Sequence, residues 1–160
     1  MWVQTTKPLE EGIGWHGSLA LQTPAGAGTI LFVEDEAFVR EVTGEVLRSA
    51  GYRVLSAKNA AEAVRLYDAH RGEVELLLTD IVLPGESGRA LSRRLRHENP
   101  GLKILLVTGY AEQLGLLETE EEEFLAKPFS TEVLLRRVSR LLQRTELPVR
   151  TEALVMDACG

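Results

Sequence analysis

The chain has 160 residues, 44% hydrophobic and 26% charged, which suits one soluble core with loose ends. A net charge of −6 without basic clusters excludes a dedicated nucleic-acid or anionic-membrane surface, because either needs a positive patch. The single cysteine, Cys159, rules out an internal disulfide and a paired zinc motif. No stretch approaches the roughly 20 apolar residues of a membrane span, and no basic segment leads into an apolar one at the N-terminus, so a cytoplasmic location is expected.

Between Thr29 and Gln143, short apolar runs alternate with amphipathic stretches of about 10–13 residues, the pattern of repeated strand-helix units. The first strand is Ile30-Leu31-Phe32-Val33. A helix follows whose inner face is predicted to carry Phe38, Val42, Val46 and Ala50, with Gly51 stopping it. Arg53 to Ala57 form the second strand, and Asn59 caps a helix facing inward with Ala60, Ala63, Val64 and Tyr67. Leu76-Leu77-Leu78-Thr79 is the third strand, and Pro84-Gly85-Glu86-Ser87-Gly88 is a turn-rich loop. The next helix holds Leu91 and Leu95 inside and must end at Asn99-Pro100-Gly101.

Ile104 to Val107 make the fourth strand. The helix after it is the weakest element, because Gly115 and the acidic run from Glu118 to Glu123 leave only Leu114, Leu116 and Leu117 as an apolar face. A short helix and a solvated acidic loop are expected there. Phe124 to Ala126 form the fifth strand, and Ser130 caps a last helix with Leu134, Val138 and Leu141 inside and Arg136, Arg137 and Arg140 in water. Right-handed crossovers then give a doubly wound α/β fold, a five-stranded parallel sheet with helices on both faces.

In such a sheet the carboxyl ends of the strands form the ligand crevice. Asp35, Asp80 and Lys127 each stand where an apolar run breaks off, and the fourth run ends in Thr108 followed by Gly109. Either aspartate alone is most simply a turn residue or a helix cap. Carboxylates, a hydroxyl and an ammonium converging on one edge suit a divalent cation and a phosphoryl group.

Four segments, Ile30-Leu-Phe-Val-Glu-Asp-Glu36, Leu77-Leu-Thr-Asp-Ile-Val-Leu-Pro-Gly85, Val107-Thr-Gly-Tyr110 and Leu125-Ala-Lys-Pro-Phe129, occur in the order in which they closely resemble the receiver domain of two-component response regulators. The resemblance covers residues 29–143 and is nearest to receivers attached to hybrid histidine kinases; it implies a flavodoxin-like fold. It also implies that Asp80 is the phosphoacceptor and that magnesium is held by Glu34, Asp35, Asp80 and the backbone carbonyl of Val82, with Asp35 direct and Glu34 through water. Thr108 would bond a phosphoryl oxygen, Lys127 would pair with the phosphoryl charge, and Thr108 and Phe124 would form the switch; the Lys127-Pro128 bond would be cis. Phe124 taken alone reads as a core residue. No organic cofactor is implied.

The partner implied is a histidine kinase or phosphotransfer protein, with a weak homodimer through the last strand and helices also compatible with the resemblance. The positions that tune phosphate lifetime in the family are Val82 and Tyr110; neither offers a carboxylate or an amide to orient water, so a long-lived phosphate is expected. Residues 1–28 faintly resemble the end of a histidine-kinase ATPase domain and read as a remnant with one strand at Ser18 to Gln22; residues 144–160 read as a disordered tail. With no output domain after Gln143, a shuttle or single-domain receiver is the expectation.

Other readings fit less well. A magnesium phosphohydrolase would carry a second aspartate two residues after its nucleophile, where Asp80 has Val82 and Asp35 has Ala37. A flavin module would lack its hydroxyl-rich phosphate loop, since Glu34-Asp35-Glu36 stands there. A pseudo-receiver that only binds protein keeps every residue and is separated by experiment alone. Gly26-Ala27-Gly28 precedes a strand, the wrong order for a phosphate loop. His16, His70 and His97 read as solvated.

Overall fold

The computed structural model of the chain describes residues 28–109 and 122–143. The expectations for the N-terminal remnant, for Tyr110, for the weak helix with the acidic residues up to Glu121, and for the tail from Arg144 lie outside the described residues. The elements run β1 (Thr29–Val33), α1 (Ala37–Ser49), β2 (Arg53–Ala57), α2 (Ala60–Ala69), β3 (Val74–Asp80), α3 (Gly88–Glu98), β4 (Lys103–Thr108), β5 (Glu123–Ala126) and α4 (Thr131–Gln143).

Every strand pair is parallel, and the order across the sheet is β2-β1-β3-β4-β5. The near-continuous apolar runs are explained by this placement, since a parallel sheet is covered on both faces. Alternate side chains divide between two cores. Leu31, Val33, Leu77, Leu106 and Phe124 pack with Ala63, Tyr67, Leu91 and Leu95 of α2 and α3. Ile30, Phe32, Leu78, Leu105 and Val107 pack with Leu47 of α1 and Leu134, Val138 and Leu141 of α4. The chain switches direction between β1 and β3, so the crevice at their carboxyl ends is the natural site of the fold.

Two caps occur where they are expected: the Asn59 side chain accepts from the Glu62 N–H at 2.8 Å and Ser130 from the Val133 N–H at 3.3 Å. Ser87, read as part of a loop, is a third, accepting from the Ala90 N–H at 3.2 Å. Each satisfies a first-turn donor that has no partner within its helix.

The inner face of α1 differs from expectation. Phe38 is 73% exposed and Val42 47%, whereas Gly44 and Leu47 are buried, with Val39 and Thr43 lining the crevice against the sheet. Apolar residues cover more than half the circumference of this helix, so two stripes compete. The one carrying Leu47 wins, and α1 sits about a quarter-turn from the predicted orientation.

The acidic run is also only partly a solvated loop. Glu122 is 9% exposed, paired with Arg89 of α3 at 3.3 Å and within 3.3 Å of the buried Ser92 hydroxyl, while the Arg89 guanidinium lies 5.8 Å from the centre of the Phe124 ring. Glu123 opens β5 and takes Arg137 at 3.3 Å and Arg140 at 2.5 Å, so two of the expected wet arginines of α4 clasp the edge strand. His70 is half-buried beside Arg53 and Glu73 rather than solvated. Because removing one member of a buried pair strands its partner, Glu122→Ala is expected to cost about 2 kcal/mol. A urea midpoint shift equivalent to less than about 0.5 kcal/mol, the range of ordinary surface changes, would contradict a structural role for the pair.

Candidate functional site

The site is assembled by strand register. Val33 pairs with Thr79 and Asp80 with Val107, so the residues that end β1, β3 and β4 stand side by side; Thr108 pairs with Ala126, which brings Lys127 to the same edge. The Lys127 N–H donates to the Thr108 carbonyl at 2.7 Å, and the Lys127–Pro128 bond is cis.

Lys127 is the centre of the cluster. Its Nζ donates to Asp80 Oδ2 at 2.6 Å and to Glu34 Oε2 at 3.3 Å. The other carboxylate oxygens are held by backbone: Asp80 Oδ1 accepts from the Val82 N–H at 2.9 Å and Glu34 Oε1 from the Glu36 N–H at 3.2 Å. Burial pushes the Glu34 carboxyl above its ordinary range, against the Glu36 N–H and the Lys127 ammonium, which pull it down. Burial disfavours the Lys127 ammonium, yet its bond to Asp80 and the charges of Asp80 and Glu34 outweigh that and raise it.

Asp35 is exposed and lines an outer cleft of about 520 Å³ together with Lys58, Asn59, Pro84, Gly85 and Glu86. Val82 is 62% exposed, and Thr108 is buried at the end of β4. Phe124 is buried, as the core reading had it, and pairs with Leu106 two residues before Thr108. The structure thus brings Glu34, Asp80 and Lys127 into contact, places Thr108 and Asp35 on the same edge, and sets Phe124 one layer below.

The donor set consists of hard oxygen groups, which suits magnesium. Among the described residues no three carboxylates, histidines or cysteines are gathered closely enough to hold a metal ion alone. The expected ligands Glu34, Asp35 and Asp80 are thus not gathered into one closed set: Lys127 bridges Glu34 and Asp80, while Asp35 faces the outer cleft.

Three features escaped the sequence reading. The Val82 N–H orients Asp80, where only its carbonyl was considered. Gly88 stands where a Cβ would lie 1.9 Å from the Asp80 carbonyl oxygen and 2.8 Å from Thr79 Oγ1. Arg40 of α1 reaches the carbonyls of Glu34 and Asp35. The spacing of an arginine five residues after Asp35, and of a glycine directly after the Ser87 cap, was the available signal.

The response regulator receiver domain model matches residues 30–139. The chain belongs to the response regulator receiver family. Over 125 residues it is 36% identical to the sensor kinase CckA of Brucella abortus, covering 76% of this chain and 13% of that protein. Over 139 residues it is 34% identical to the phosphate regulon transcriptional regulatory protein PhoB of Pseudomonas aeruginosa, covering 81% of this chain and 60% of that protein. The receiver therefore spans only part of these relatives.

Among solved structures, the receiver domain of the hybrid histidine kinase CckA matches with a TM-score of 0.64 and 34% identity, over 72% of this chain and 100% of that one. The response regulator TrrA of Thermotoga maritima, in complex with Mg²⁺ and BeF, matches with a TM-score of 0.64 and 31% identity, over 71% and 98%. The fold is the flavodoxin-like receiver fold, and its role is that of a phosphoacceptor in two-component signalling.

Proposed function

We propose that this receiver accepts a phosphoryl group on Asp80 from a phosphohistidine of a histidine kinase or phosphotransfer protein, with magnesium held by Glu34, Asp35, Asp80 and the Val82 carbonyl. The observation that carries the reading is the position of Lys127 Nζ, 2.6 Å from Asp80 and 3.3 Å from Glu34, at the switch point of the sheet. One Asp80 oxygen attacks phosphorus, the phosphorus–nitrogen bond breaks, and the imidazole leaves as the acyl phosphate forms. Magnesium, when bound, neutralises the anionic oxygens of both partners.

The residues of the chain supply the remainder. The Val82 N–H holds Asp80 Oδ1 in one orientation, which leaves Oδ2 with Lys127. Lys127 follows the charge onto the phosphoryl group, and Thr108 donates its hydroxyl to a phosphoryl oxygen. Phe124, on the strand paired with β4, then senses the displacement of Thr108. No described helix is long and apolar enough to cross a membrane. The proposed output is a protein contact or a relay step.

The test is phosphoryl transfer from a phosphorylated histidine phosphotransfer protein, followed by intact mass. A single adduct that lasts minutes or longer is expected, because neither Val82 nor Tyr110 offers a group that orients hydrolytic water. Decay within seconds would contradict the lifetime, and failure to accept from any phosphohistidine donor would contradict the relay.

A further inference from the structure

The Glu34-Asp35-Glu36 segment carries two of the proposed magnesium carboxylates on a loop with little support of its own. Glu36 is the N-cap residue of α1 but makes no side-chain cap bond, and the first turn of the helix has no acidic residue. The Glu34 end of the loop is tied to the sheet by the bond from the Glu34 N–H to the Ala57 carbonyl and by Lys127, and further support comes from one turn along the helix. Arg40 Nη1 donates to the Glu34 carbonyl at 2.7 Å and to the Asp35 carbonyl at 3.2 Å, while the Arg40 N–H makes the first helical bond, to the Glu36 carbonyl, at 2.9 Å. The same loop is pinned from the other side by the bond from the Glu36 N–H to Glu34 Oε1.

We infer that Arg40 is a positioning residue for the metal site: its guanidinium ties the two carbonyls together and so fixes the directions in which the Glu34 and Asp35 carboxylates leave the backbone. The inference rests on the metal assignment proposed above. Groups that orient metal ligands from behind change affinity about 10–100-fold when removed.

Charge and positioning act in opposite senses at this residue. Arg40 places a cation next to a cation site, so by Coulomb's law its removal should tighten magnesium binding. As a positioning residue, its removal should weaken binding. Both contacts come from the one nitrogen Nη1. Lysine keeps the charge, but its ammonium ends one atom short of that position on a more flexible stem, so it holds the two carbonyls less firmly.

The test is magnesium binding without any phosphodonor, measured by calorimetry on the full chain as wild type, Arg40→Lys, Arg40→Gln and Asp35→Asn. Both Arg40 variants are expected to bind magnesium about 10-fold more weakly than wild type, in proportion to the usual cost of losing such support. Unchanged affinity in Arg40→Lys, or tighter binding in Arg40→Gln, overturns the inference while leaving the metal site intact. Magnesium binding that survives Asp35→Asn, or its absence from the wild type, overturns the ligand set itself and this inference with it.

Discussion

Gly88→Ala is expected to cost more than about 3 kcal/mol and to disable phosphorylation together with stability. The new Cβ would lie 1.9 Å from the Asp80 carbonyl oxygen and 2.9 Å from its carbonyl carbon, and both are backbone atoms that cannot swing aside. Either the first turn of α3 retreats, which strains the Ser87 cap and the bond from the Gly88 N–H to the Ile81 carbonyl, or the end of β3 moves and takes the Asp80 carboxylate with it. For a domain of this size the melting temperature should fall by about 15 °C. Gly85 provides the control. Its φ of 81° makes alanine strained, but open space surrounds it, so Gly85→Ala should cost only about 1 kcal/mol. Thermal unfolding of the two variants side by side checks the difference, and equal losses would contradict the close-approach explanation.

Lys127→Met is expected to slow phosphorylation of Asp80 by about 10²–10³-fold, the usual consequence of removing one charged donor from a preorganised anion site. The ammonium is the only cation the structure places directly against both Asp80 and Glu34 among the described residues, and methionine keeps most of its length and apolar volume. Magnesium affinity should move the other way, because a competing cation has been withdrawn from carboxylates the metal would use. Single-turnover phosphorylation at saturating magnesium, with calorimetric binding beside it, separates the two effects. A variant that phosphorylates at the native rate would show that Lys127 only balances charge in the resting domain.

The positions of β1, β3, β4 and β5 were readable because each is an apolar run that stops at or beside a residue the crevice uses, whereas β2 is an edge strand with Arg53 and Ser56 in it. Asp80, Lys127 and Thr108 were legible together for the same reason: the sheet converts three distant run ends into one edge. The α1 face was not, because Phe38 and Val42 present a stripe as apolar as the one built around Leu47, and composition alone does not say which one the sheet selects. Glu122 was read with its acidic neighbours, while the residues that bury it, Arg89 and Ser92, lie 33 and 30 positions away. Gly88 and Arg40 act on backbone carbonyls, and their spacing alone does not say which carbonyl they meet. The convergence of side chains at the crevice and the helix caps of Asn59 and Ser130 could be inferred; contacts to main-chain carbonyls needed coordinates.

The most direct measurement of the central claim is magnesium-dependent phosphorylation by acetyl phosphate, read by intact mass on the native chain and on Asp80→Ala. The expected result is one phosphoryl adduct that requires magnesium and is absent from the variant. An adduct that persists in Asp80→Ala, or a folded native chain that takes none, would contradict Asp80 as the phosphoacceptor of this receiver.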